Sequence, residues 1–186
     1  MSQSSTPGPR RRFLAGTTGL AVAAVGSAWV APAGAVEPGP RRLAFVHTHT
    51  LERVALVYAV GRSYDPAALA SLNRFLRDHY TGEVGVLDPS LFDMLHAVRA
   101  SLGSTEPYEV ISGYRCPATN ERLRGSRGGG VARHSLHMEG RAIDVRLPAI
   151  ALADLRDAAV SLGRGGVGFY PRERFVHLDT GQVRTW

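Results

Sequence analysis

From residue 43 onward the apolar positions follow two rhythms. Leu43 to Thr48 is extended and apolar, and Val54-Ala55-Leu56-Val57-Tyr58-Ala59-Val60 is rich in β-formers. The two predict a hairpin with Thr50-Leu51-Glu52 near its turn. The rhythm then becomes helical. Asp65-Pro66 reads as an N-cap followed by proline at the first helical position, with Leu69, Leu72, Phe75, Leu76 and His79 at helical spacing behind it. Asp88-Pro89 repeats the start signal, Leu91, Leu95, Val98 and Leu102 form one face, and Gly103 stops the helix. Strands are expected at 108–111, 142–147, 167–170 and 175–179. A short helix is expected over 117–124, and a longer one over 149–162, closed by Gly163. Residues 125–131 are Gly-rich and basic and read as a mobile loop. No internal repeat is visible. Strands and helices intermixed with hairpins predict an α+β fold, an antiparallel sheet flanked by helices.

The first 35 residues follow another logic. Arg10-Arg11-Arg12-Phe13-Leu14 precedes an uncharged run of small and apolar residues from Ala15 to Val30, and Ala33-Gly34-Ala35 fits an A-x-A cleavage site. That is the layout of a secretory signal. The paired arginines followed by x-Phe-Leu resemble a twin-arginine signal, an address read by the export machinery. The apolar run is weak for a spanning helix, which needs about 20 strongly apolar residues. The expected organisation is a signal over 1–35, a Pro/Gly linker over 36–42 and a single domain over 43–186.

Composition then changes the picture in two places. All 22 cations are arginine; with no lysine, Schiff-base chemistry and a P-loop lysine are excluded. The single cysteine, Cys116, excludes an intramolecular disulfide and a Cys-rich zinc site. A pI near 10.2 and a net charge of +6 invite a nucleic-acid reading. Three arginines and no acid lie within residues 1–35, however, so the remainder carries 19 arginines against 16 acids. No recognition motif is present and the export signal opposes nucleic acid as a partner. The residual positive charge concentrates between Gly113 and Arg146, with seven arginines against Glu121, Glu139 and Asp144. Such a segment attracts carboxylate-rich ligands.

Candidate chemistry sits in the same segment. Among seven histidines, His137 stands in Ser135-Leu136-His137-Met138-Glu139-Gly140-Arg141-Ala142-Ile143-Asp144, a loop that turns at Gly140 into a strand delivering Asp144. His177 stands on the last predicted strand, in Phe175-Val176-His177-Leu178-Asp179. Two histidines and one carboxylate are the ligand set of a catalytic zinc, with a fourth position left for water. Spacing alone does not decide this, since His-x6-Asp also arises by chance. His47 and His49 form a rival pair, with no third ligand evident beside them.

The motifs add a resemblance. Ser112-Gly113-Tyr114-Arg115, then Pro117 and Asn120, then Ser135-x-His137-x-x-Gly140-x-Ala142-x-Asp144 and the late His177 resemble the LAS-type zinc peptidases. That superfamily includes D-Ala-D-Ala carboxypeptidases and hedgehog domains. Within it the chain is most similar to the YcbK-like murein endopeptidase branch. The similarity extends to His49-Thr50, the Leu72–Asp78 stretch, Gly165–Gly168 and Val183-Arg184-Thr185-Trp186. The resemblance implies a hedgehog/D-Ala-D-Ala peptidase-like fold and Zn2+ held by His137, Asp144 and His177. It implies that Arg115 touches the substrate, and that Ser135 positions backbone or ligand nearby. It further implies an exported enzyme of the periplasm or cell envelope. That enzyme would hydrolyse peptidoglycan stem peptides or cross-links with zinc-activated water; a monomer is expected, although the sequence does not fix the oligomeric state. A D-Ala-D-Ala-type carboxypeptidase and a non-catalytic zinc-stabilised envelope-binding module are the alternatives.

The sequence departs from the family at the proton acceptor. Many relatives place Glu three residues before the last ligand, or His two or three before it; here those positions are Arg174 and Phe175. Asp179, on the same strand face as His177, is the first substitute, and Glu173 the second.

Overall fold

The computed structural model describes residues 39–126 and 131–186. The signal reading, its cleavage site, most of the linker and residues 127–130 of the basic loop lie outside the described residues. In chain order the elements are β1 (Arg41–His47), β2 (Arg53–Val60), β3 (Ser63–Tyr64), α1 (Pro66–Phe75), α2 (Pro89–Ser101), β4 (Tyr108–Ser112), α3 (Pro117–Ser126), a 3-10 turn (Leu136–Glu139), β5 (Ala142–Arg146), α4 (Leu152–Leu162), β6 (Gly166–Tyr170), β7 (Phe175–Asp179) and β8 (Arg184–Thr185).

The strands form one sheet in the order β3-β2-β1-β4-β5-β7-β6-β8. The α+β class and the mostly antiparallel pairing agree with the pattern of the chain. Two pairs, β1 with β4 and β6 with β8, run parallel instead. The first follows from the crossover through β2, β3, α1 and α2, which returns the chain beside β1 in the same direction.

Local chemistry sets the helix ends. The Asp65 carboxylate accepts from the Ala67 and Ala68 N–H groups at 2.8 and 3.4 Å, and Asp88 caps α2 through Ser90 N–H at 3.0 Å. The periodicity through His79 overshoots α1, which stops at Phe75. Asp78 competes with the helix: its Oδ1 accepts from Tyr80 and Thr81 N–H at 2.9 and 3.3 Å, folding its own turn. His79 therefore leaves the helix. Likewise α4 begins at Leu152 rather than 149, because Ala149 sits at φ 63°, outside the helical region.

Alternation along the central strands assigns their two faces. Ile143 and Val145 of β5 and Val176 and Leu178 of β7 join Leu91, Leu95, Leu155 and Phe45 in the core beneath the helices. The intervening residues, Asp144, His177 and Asp179, are turned to the other face. Asp144 and His177 are direct register partners across β5 and β7, and Ser112 of β4 lies opposite Asp144 on the other side.

Candidate active site

His137 is the one member of the proposed ligand set that no strand carries. Ser135 sits at the cap position of the 3-10 turn in extended conformation, and Gly140 ends it at φ 68°. A Cβ at Gly140 would fall 1.9 Å from the Val86 carbonyl oxygen, so only glycine fits both the backbone angle and the space. Within the turn the His137 ring is buried, its Nδ1 2.7 Å from the Gly113 carbonyl oxygen. A carbonyl only accepts, so Nδ1 carries the proton and Nε2 presents a lone pair. That Nε2 lies 3.3 Å from Asp144 Oδ1. The Arg115 N–H donates to the His137 carbonyl at 3.2 Å, tying the Ser112–Arg115 segment to the same turn.

His177 approaches from β7. Its Nδ1 is 2.8 Å from Asp144 Oδ1, and its Nε2 is 3.3 Å from Asp179 Oδ2. Each histidine thus has one nitrogen held by an oxygen acceptor behind it and the other turned toward Asp144. The donor atoms of His137, Asp144 and His177 lie within 4.8 Å of one another, and among the described residues they are the one group of three able to hold a metal ion. A nitrogen, oxygen and nitrogen set with anchored rings fits a divalent metal.

The charges agree with the contacts. Burial opposes ionisation of Asp144, but the two histidines outweigh it and hold its carboxyl well below the usual range. Burial also pushes His177 down, yet its bonds to Asp144 and Asp179 prevail and raise it to about 9. For His137 burial prevails over Asp144 and its value is lowered.

A cavity of about 580 Å³ opens onto these residues, with Arg115, Ser135, Glu173 and Trp186 in its walls. Arg115 Nη2 lies 3.8 Å from Asp144 Oδ2 and donates to Ser112 Oγ at 3.3 Å. Ser135 is buried in the cavity lining and its hydroxyl makes no capping bond to the turn. Glu173 is exposed at the rim, in the turn where Arg174 adopts φ 60°.

Asp179, the first choice as proton acceptor, does not reach the cavity. Its Oδ1 accepts from Gly166 and Gly181 N–H at 3.1 and 2.8 Å, and its Oδ2 from Arg184 at 2.8 Å and His177 at 3.3 Å. It is fully buried and these donors outweigh its burial, lowering its pKa to about 2. Spacing of two residues put it correctly on the face of His177, but a carboxylate so occupied is a poor base. It orients the His177 ring from behind.

The sequence pattern missed two neighbours. Arg184, which neutralises Asp179, gave no local signal because its partner lies across a turn. His79 follows the helical spacing of α1 but lies beyond its end at Phe75. It stacks on His49 at 4.2 Å between ring centroids and stands 5.4 Å from His47, supplying a third histidine beside that pair. Their nitrogens do not converge as the ligand set above does.

Residues 35–186 match the M15 peptidase family described as Peptidoglycan L,D-endopeptidase MepK. The chain belongs to that family. It is 42% identical over 176 residues to the peptidoglycan L,D-endopeptidase MepK of Escherichia coli K12, covering 95% of this chain and 96% of the relative. It is also 42% identical over 151 residues to the probable peptidoglycan L,D-endopeptidase MepK of Haemophilus influenzae, covering 80% of each. A solved structure, the L-Ala D-Glu endopeptidase ChiX of Serratia marcescens, overlaps 52% of this chain and 69% of its own at 20% identity and TM-score 0.35. That overlay is too loose to inform the fold. Among the described residues, no helix is long and apolar enough to cross a membrane.

Proposed function

We propose that this member of the MepK peptidase family is a zinc-dependent peptidoglycan endopeptidase of the cell envelope, exported by its N-terminal signal. The observation that carries the metal reading is the convergence of His137 Nε2, His177 Nδ1 and Asp144 Oδ1, with the far nitrogen of each ring already anchored. The relatives' names support an L,D-peptide bond of peptidoglycan as the target, and the cross-link is the bond we assign.

His137, Asp144 and His177 would hold the ion. Bound zinc supplies a Lewis acid and a water acidic enough to attack at neutral pH. The remaining work falls to the chain's own groups. Gly113 and Asp179 keep the two imidazoles in the required tautomers. The Arg115 guanidinium, in the cavity wall beside Asp144, binds a peptide carbonyl or carboxylate and offsets negative charge that develops on the scissile oxygen. Ser135, in the cavity lining, borders the bound peptide. Glu173, an unburied carboxylate at the rim, accepts the proton of the attacking water and passes it to the leaving amine nitrogen. The C–N bond breaks, the carbonyl carbon keeps the hydroxyl and the amine leaves neutral.

Incubating zinc-loaded protein with purified cross-linked muropeptides tests the assignment. Each cross-linked dimer should give two fragments whose masses sum to the dimer plus one water. A folded, zinc-loaded protein that leaves the dimers intact would refute it.

A further inference from the structure

The residue that follows β8 is one that the catalytic scheme above does not use. Trp186 is 50% exposed, a large aromatic surface to leave in water. It is nevertheless held firmly. Phe169 N–H donates to the Trp186 carbonyl at 3.0 Å, and Trp186 N–H donates to the Val167 carbonyl at 3.3 Å. The indole N–H donates to the Tyr170 hydroxyl at 2.7 Å. The ring lies flat against β6 at Gly168, where a Cβ would fall 2.7 Å from it. Gly168 is the register partner of His177, and the indole centroid stands 5.4 Å from that imidazole. Arg184, anchored on Asp179, sits 4.9 Å over the same ring.

These contacts fix both the position and the polarity of the ring. Its one polar atom is satisfied internally, so the surface left to the cavity is an aromatic one. Tyr170 and Phe175, whose rings stack at 4.6 Å, continue that apolar strip along the cavity wall. The same cavity is lined by the cationic Arg115, 3.8 Å from Asp144. The cavity thus combines a charge-binding group near Asp144 with an aromatic surface beside His177.

We propose that Trp186 is a substrate-binding residue, an aromatic platform on which the aliphatic part of a peptide residue flanking the scissile bond packs. This rests on the peptidase reading. Binding that is equal in ground and transition states raises affinity without changing the chemical step. Trp186→Ala should therefore raise KM about tenfold, the scale of one lost aromatic contact. It should leave kcat within about twofold and zinc content unchanged. Trp186→Phe, which keeps an aromatic face but gives up the second ring and the bond to Tyr170, should recover most of the affinity.

A second readout is direct. The chain has two tryptophans, Trp29 in the signal segment and Trp186. In the full chain carrying Trp29→Phe, emission reports Trp186 alone. Titrating cross-linked muropeptide should give a saturable emission change whose midpoint follows KM. Cleavage with neither an emission change nor a KM effect of Trp186→Ala overturns the platform and leaves the peptidase reading standing. A saturable emission change without cleavage upholds the platform and sinks the catalytic assignment. Neither binding nor cleavage overturns both.

Discussion

Asp179 and Glu173 belong to the same hairpin yet occupy opposite situations, and the difference predicts opposite losses. Asp179 is buried and fully engaged by N–H donors, one of them His177. Asp179→Asn should weaken zinc binding by about 10- to 100-fold, as outer-shell partners of ligating histidines do. Excess zinc should restore most of its turnover, and equilibrium dialysis measures the affinity. Glu173 is exposed and lines the cavity. Glu173→Gln should keep its zinc and lose about 10²- to 10⁴-fold in kcat. If it turns over at the wild-type rate, proton transfer does not pass through Glu173. At this scale the convergence of His137, Asp144 and His177 was legible, because the Ser135-to-Asp144 motif and the late His177 carry the three residues in short, recognisable stretches. The role of Asp179 was not. Strand alternation tells which face a carboxylate occupies, but not that two backbone N–H groups and Arg184 claim its oxygens first.

The elements were legible wherever caps and periodicity agreed. Asp65-Pro66 and Asp88-Pro89 mark both helix starts, and Gly163, at φ 62°, ends α4. Asp65→Ala should cost about 1 kcal/mol in urea unfolding and leave activity intact, since α1 carries no ligand. The turn before β5 is less forgiving. Gly140→Ala forces a Cβ into the Val86 carbonyl at a left-handed backbone angle. It should lower stability by more than about 1 kcal/mol and reduce zinc affinity together, because the same turn aims His137. Differential scanning calorimetry with metal analysis checks both, and loss of neither would show that the turn does not hold the ligand. Where the pattern failed, local competition was the reason. Asp78 diverts the chain from α1 by bonding its own backbone, and Ala149 delays α4, effects that apolar spacing does not encode.

At the scale of the molecule, the positive charge that first suggested nucleic acid divides between residues 1–35 and the Gly113–Arg146 segment, where Arg115 borders the cavity. Acid should destabilise the fold through His47 and His79. Burial is the main cause lowering both from 6.5 to about 4, with neighbouring histidines adding to it. The unfolded chain therefore binds protons more readily than the folded one between those values. Their stabilising contribution is complete above pH 6.5 and is lost as pH falls toward 4. For the fully buried His47 alone this amounts to up to ~3 kcal/mol. Urea unfolding at pH 7 and pH 5 should show the loss, and His47→Gln should flatten it; equal stability at both pH values would contradict it. The central claim, that one zinc ion held by His137, Asp144 and His177 drives peptide cleavage, is tested most directly by titration. Zinc is returned stepwise to chelator-stripped protein while cleavage of cross-linked muropeptide is followed. Activity should be absent at the start, rise linearly and break at one zinc per chain. Cleavage that survives stripping, or that never returns as zinc fills the site, would contradict the account.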